Sequence, residues 1–242
     1  MKNRIKQIAR KIRYLLSKSK SSFDFNKSNP LGGNGERVDI HYQNEIGNNF
    51  DKLDMYQKNH FRRYEFARDY IASGLTCGDF ACGTGYGSVM LSNKANSVIG
   101  ADINEEVISV IKGRYREIEK VEFMRANLLD LNFESAFDII VSFETIEHFT
   151  EENIQLLLAV FYKATKSNGK LIFSTPYMQE RSIGAIQLGH HLTFYINESK
   201  LEEWLAKAGF FVESFKYQNY DTHAIQGDLK KKDFIICIAQ KR

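Results

Sequence analysis

Strands and helices that alternate from residue 75 to residue 175 predict an α/β protein built on a doubly wound parallel sheet with helices on both faces. Two local features agree with this. The almost unbroken apolar run Phe-Asp-Ile-Ile-Val-Ser-Phe at 137–143 is what a parallel strand buried on both faces requires. A glycine-rich stretch at 78–88, Gly-Asp-Phe-Ala-Cys-Gly-Thr-Gly-Tyr-Gly-Ser, lies where the first strand turns into a helix. Glycines there let a ligand approach the backbone, and N–H groups at a helix start suit an anionic group.

In chain order, apolar residues at steps of three and four among lysines and arginines (Ile5, Ile8, Ile12, Leu15) predict a basic amphipathic helix over 2–18. A Ser-, Asn- and Gly-rich stretch containing Pro30 reads as a linker. The chain thus divides into an arm and linker, 1–35, and a body, 36–242. A helix over about 60–72 leads into strands at 75–80, 97–101, 121–126, 137–143 and 170–175, with helices at 86–93, 105–115 and 151–165 between them. Asn168-Gly169 closes the last of these helices, and Pro176 stops the fifth strand. Beyond it come a helix at 198–208 ended by Gly209 and strands at 210–217 and 233–239, which pair antiparallel at one sheet edge.

The 242 residues, 43% hydrophobic and 26% charged, fit one globular body and exclude a mini-protein or a disordered chain. The net charge of +3 is a sum of unlike parts. Residues 1–20 hold eight basic side chains and no acidic one, leaving 25 basic against 30 acidic in the rest, a net of −5. Such an arm can meet an anionic membrane face or an assembly partner, or pack on the body or a second subunit. Three cysteines (Cys77, Cys82, Cys237) make no disulfide framework, no apolar run approaches 18 residues, and basic residues interrupt the start. The expectation is a cytoplasmic protein, peripheral at the inner membrane if the arm binds there, and a monomer or homodimer.

A dinucleotide fingerprint needs G-x-G-x-x-G/A, but its third position here is Ser88 or Met90, so a nicotinamide reading is weak. The segment Asp79-Phe80-Ala81-Cys82-Gly83-Thr84-Gly85 instead resembles motif I of the class I S-adenosylmethionine (SAM) dependent methyltransferases. Three more segments fall in register with that family: Val98 to Ile103, Phe123 to Leu131, and Phe137 to His148 with its Glu-His ending. The resemblance implies a Rossmann-like, seven-stranded, mostly parallel sheet of order 3-2-1-4-5-7-6 with the last strand antiparallel, and SAM as cofactor. It implies that Asp79, Ala81, Cys82, Gly83 and Gly85 hold the methionine end, Asp102 and Ile103 the ribose, and Asn127 and Leu128 the adenine. Asn127 stands where the family usually has Asp, and its amide oxygen can still accept the adenine amino group. Ser142 and Phe143 are expected beneath the cofactor.

Methyl transfer from a sulfonium needs chiefly alignment of acceptor and methyl. A hydroxyl acceptor also needs its proton removed, for which His148 is the candidate base, with Glu147 beside it as a second catalytic candidate. The alternative for His148 is a capping or core histidine. Glu144 and Glu147 orient His148, bind acceptor hydroxyls, or complement a helix dipole. His190 and His191 add metal-capable groups, but no tight spacing such as H-x-x-x-H supports a site, so no metal is expected.

Gly35-Glu36-Arg37, the H-x-x-R-Y pattern His60-Phe61-Arg62-Arg63-Tyr64, the glycine turn and the Ser142 to His148 segment together resemble a bacterial group of methyltransferases associated with surface-polysaccharide (capsule) biosynthesis. This implies O-methylation of a sugar, nucleotide sugar or phosphorylated precursor. His60, Arg63 and Tyr64 close over the cofactor or meet the acceptor; the alternative is an amphipathic helix whose Phe61, Tyr64 and Phe66 pack on the sheet. The insertion at 175–193 supplies acceptor candidates Tyr177, Arg181, His190 and His191, the arginine suiting a phosphate. Against a nucleic-acid substrate stand the acidic body and the absence of an N/D-P-P-Y/F motif after the fourth strand. A protein that binds SAM without transferring its methyl is the other alternative.

Overall fold

The computed structural model describes residues 37–40 and 50–242. The expected basic helix and linker, and the boundary at residue 36, lie outside the described residues. The body is an eight-stranded sheet with helices on both faces. Helix α1 (Met55–Arg68) precedes β1 (Thr76–Phe80), α2 (Tyr86–Ser92), β2 (Ser97–Asp102), α3 (Glu105–Arg114) and β3 (Val121–Arg125). Then follow β4 (Phe137–Phe143), α4 (Glu151–Ala164), β5 (Thr165–Pro176), α5 (Ile183–Gly189) and α6 (Glu198–Ala208). Strands β6 (Phe210–Gln218), β7 (Ile225–Gln226) and β8 (Phe234–Lys241) finish the sheet.

The order is β3-β2-β1-β4-β5-β8-β6-β7. Strands β1 to β5 are parallel, and β8 inserts antiparallel between β5 and β6. This is the expected 3-2-1-4-5-7-6 order, with one addition: the two-residue β7 pairs on the outer edge of β6, making eight strands where seven were expected. Strand alternation divides the core into two layers. From β4, Ile139, Val141 and Phe143 pack with α1, α2 and α3, while Phe137 and Ile140 pack with α4 and α6. Trp204 of α6 is buried in the second layer.

Helix α1 begins earlier than expected. Asp54 accepts the Gln57 N–H (2.9 Å) and Gln57 Oε1 accepts the Asp54 N–H (2.9 Å), a reciprocal cap that starts the helix where the exposed Met55 and Tyr56 break the apolar period. A second difference is α5, within the insertion where no helix was expected. Ser182 caps it by accepting the Ala185 N–H at 3.1 Å. Cys77, Cys82 and Cys237 are buried and unpaired, as expected. Among the described residues no helix is long and apolar enough to cross a membrane.

Candidate active site

The glycine turn sits at the carboxyl end of β1, beside the point where sheet order reverses from β1 to β4, the place where open α/β sheets bind ligands. Three residues in it are left-handed: Ala81 (φ 63°), Gly83 (φ 51°) and Gly85 (φ 75°). A Cβ on Gly83 would meet nothing within 4 Å, so that backbone faces open space. A Cβ on Gly87 would lie 2.0 Å from Tyr64 Cζ, so glycine is required there for α1 to dock on α2.

Asp79 is fully buried, accepting the Tyr64 hydroxyl (3.0 Å) and the Ser88 hydroxyl (2.6 Å). Ser88, the residue that breaks the dinucleotide fingerprint, thus serves this carboxylate. Burial pushes the Asp79 carboxyl up to about 6, against the opposing pull of the two hydroxyl bonds, with the Asp102 charge adding to the rise. The ionised form is the one that favours a cationic ligand. Affinity for SAM is therefore expected to fall as pH drops through 6, about tenfold from pH 7 to pH 5, since the ionised fraction falls by that factor. Calorimetric titration across this range checks it. Asp79→Asn should flatten the profile, and an unchanged slope in that variant would remove Asp79 as the cause.

At the end of β2, Asp102 accepts N–H bonds from Gly83 (3.0 Å) and Asn104 (2.9 Å), with Arg37 3.8 Å away. The neighbouring Ile103 is 60% exposed, an apolar surface beside the carboxylate. Residues 37–40 run along this edge: Val38 C=O accepts the Thr84 hydroxyl (2.8 Å), and Asp39 pairs with Arg114 (2.6 and 3.2 Å). Asn127 Oδ1 accepts the Leu129 N–H at 3.2 Å and keeps a second lone pair for an amino group. Leu128, Ser142 and Phe143 are buried, Ser142 bonding Thr145 and Phe143 meeting the Tyr64 ring edge-on with centroids 5.0 Å apart. The open glycine backbone, the Asp102 carboxylate with Ile103 beside it, and the Asn127 amide oxygen occupy the positions expected to meet the methionine end, the ribose and the adenine respectively.

Tyr64, expected as an acceptor contact, is 2% exposed, with its hydroxyl on Asp79 and its ring among His60, Tyr86 and Phe143. The packing alternative is the one the structure shows. His60, from the same H-x-x-R-Y pattern, contacts the Tyr86 hydroxyl through Nδ1 at 2.5 Å. Arg63 is buried. Its Nε donates to Gln218 (2.7 Å), its Nη1 lies 3.2 Å from Glu144, and its guanidinium covers the Phe234 ring at 4.1 Å. The sequence placed Arg63 over the cofactor or against the acceptor; the structure commits it instead to Gln218, Glu144 and Phe234, partners that lie far along the chain.

Beyond β4, Glu144 (φ 51°) is held by the Ser174 hydroxyl (2.7 Å) and by Arg63. Glu147 and His148 lie in a single 3-10 turn, Ile146–His148. Neither glutamate complements the dipole of α4, whose first turn carries Glu151 and Glu152 under a Thr150 cap. Glu147 is 1% exposed and neither carboxylate oxygen has a hydrogen-bond partner, although the unpartnered Thr175 hydroxyl lies beside it. Burial, then the Glu144 charge, pushes its carboxyl well above the usual range.

The Glu147 C=O accepts N–H bonds from Leu192 (2.8 Å) and Thr193 (3.1 Å), which draws the insertion onto this turn. His191 thereby meets His148 edge-to-face, ring centroids 4.9 Å apart. Its Nδ1 contacts Gln179 Oε1 at 2.6 Å, and burial, then His148 and His190, push it down to about 4. The other acceptor candidates lie outside this group of ligand atoms. Tyr177 bonds Glu198 (3.1 and 3.3 Å), while Arg181 and His190 are exposed, His190 as the left-handed cap of α5.

Residues 78–169 match the family model described as a methyltransferase domain. A protein from Mycolicibacterium smegmatis described as a probable S-adenosylmethionine-dependent methyltransferase is 29% identical over 158 residues, covering 63% of this chain and 60% of that protein. The mitochondrial ubiquinone biosynthesis O-methyltransferase of Candida albicans is 29% identical over 161 residues, 58% of this chain and 49% of that protein. The chain thus spans about half to three fifths of the length of these relatives. The crystal structure of an S-adenosylmethionine-dependent methyltransferase from Mesorhizobium loti shares the fold with a TM-score of 0.63 at 16% identity, over 78% of this chain and all of that one. Fold and glycine turn define a Rossmann-like nucleotide-type site. Residues 78–169 are thus similar to methyltransferase domains, and the relatives so described use S-adenosylmethionine, the cofactor that the fold and the glycine turn imply here.

Proposed function

We propose that the protein transfers the SAM methyl group to a hydroxyl oxygen of a sugar, nucleotide sugar or phosphorylated precursor in surface-polysaccharide biosynthesis. The observation that carries this reading is the meeting of Glu147, His148 and His191 at the carboxyl end of β4, beside the glycine turn. SAM supplies an electrophilic methyl on a good leaving group. The chain's residues hold the acceptor oxygen and dispose of its proton as the O–C bond forms and the S–C bond breaks. Exposed Arg181 and His190 on the rim suit a phosphate or phosphorylated sugar. The Candida relative is itself an O-methyltransferase, which supports oxygen as the acceptor atom.

The test is incubation of the full chain with methyl-labelled SAM and, separately, nucleotide sugars, polysaccharide and tRNA. Label is expected in a saccharide. Label in tRNA alone would overturn the reading.

A further inference from the structure

We infer that Glu147, His148 and His191 form a binding site for one divalent first-row transition-metal ion. This revises the expectation of a metal-free protein. The inference deepens the O-methylation reading, on which the role of the ion, though not the site itself, rests.

Among the described residues these three form the one group of His, Cys, Asp or Glu with metal-ligand potential, their ligand atoms all within 4.8 Å of one another. Tetrahedral ligands about 2.1 Å from a shared ion lie about 3.4 Å apart, so the widest pair must close by about 1.4 Å, a distance that side-chain rotation covers. Two observations point to a cation. The Glu147 carboxylate is buried, with neither oxygen in a well-formed hydrogen bond and the Thr175 hydroxyl beside it, an arrangement that native structures rarely leave uncompensated. Glu144 cannot compensate it, being itself anionic and committed to Arg63 and Ser174.

The second observation is the His191 contact with Gln179. With Nδ1–H donating to that carbonyl, Nε2 keeps its lone pair, the orientation that histidine ligands ordinarily receive from an outer carbonyl or carboxylate. Two imidazoles and one carboxylate select zinc, manganese, iron or cobalt over magnesium or calcium. The local sequence cannot show this site. His191 reaches the Glu147-His148 turn only because Leu192 and Thr193 bond the Glu147 carbonyl.

Three protein ligands leave a coordination position open. An acceptor hydroxyl bound there is acidified and loses its proton to solvent water, and its oxygen then attacks the methyl carbon. His148, with its lone pair given to the ion, is a ligand in this arrangement and not the proton acceptor.

The test uses the full chain, dialysed against a chelator and titrated with Co²⁺ without SAM or acceptor, read by visible ligand-field absorption. One Co²⁺ per chain is expected, bound at least tenfold more weakly by Glu147→Gln and His191→Ala. Gln179→Ala, which removes no ligand, should weaken binding about tenfold. His191 is only partly buried, so its variant keeps the test open if Glu147→Gln does not fold. No ligand-field bands from a chain folded by circular dichroism, or unchanged affinity in His191→Ala, would overturn the site. Saccharide methylation that persists in chelator with no bound ion overturns the role of the ion in transfer and leaves O-methylation standing. Co²⁺ bound at these residues with no saccharide labelled supports the ion site and overturns the acceptor reading.

Discussion

His148→Ala is expected to lower methyl transfer at least ~10²-fold while leaving SAM affinity within about twofold, whether His148 takes a proton or holds an ion. The separation of the two effects follows from position. The expected cofactor contacts run along the ends of β1, β2 and β3 with Ser142 and Phe143 of β4 beneath, whereas His148 lies in the turn beyond β4, ring to ring with His191. Removing the imidazole leaves the Glu147 carbonyl and its two amide donors in place, so the turn keeps its fold. Single-turnover rates with the labelled saccharide, beside calorimetric SAM binding, measure both quantities. Near-normal transfer would make His148 a structural residue only.

The second large effect concerns stability. Arg63→Met is expected to cost about 3 kcal/mol or more, because removing one partner of a buried charge network leaves the others uncompensated. Gln218 is fully buried and loses the donor to its Oε1, Glu144 loses its cation, and Phe234 loses the covering guanidinium. Arg63→Lys should recover little, since one ammonium cannot reach the amide, the carboxylate and the ring face in the planar geometry they share. Urea unfolding followed by circular dichroism reports the change. A loss under about 1 kcal/mol would mean that the network contributes little beyond the packing of α1.

What was legible in the sequence was what neighbouring residues encode. The β4 run, the glycine turn and the acidic residues ending β1 and β2 are each set within a few positions, and each stands where the pattern put it. The antiparallel insertion of β8 came from family resemblance, because local pattern cannot say which strands pair. Tyr64 shows the limit of periodicity. Its spacing on α1 is compatible with either the sheet or the acceptor, and only the absent side chain of Gly87 decides for the sheet. Arg63 and His191 stood out as candidates, but their partners were beyond reach, since both owe their surroundings to contacts across long stretches of chain. The Asp54-Gln57 cap is legible too, its spacing being a helix start, although the exposed Met55 and Tyr56 that follow break the apolar period.

The placement of β8 in mid-sheet bears on how the protein is made. During synthesis β1 to β5 and their helices emerge first, and they can assemble around the cofactor turn while β5 still presents an open edge. That edge leaves backbone N–H and C=O groups of the apolar run Leu171, Ile172 and Phe173 unpaired until Phe234–Lys241 arrives. Until then the nascent chain offers an apolar strand to any other unpaired strand nearby. Chaperone dependence and inclusion-body formation should therefore track the time between emergence of β5 and of β8, and slow codons in that interval should worsen the yield.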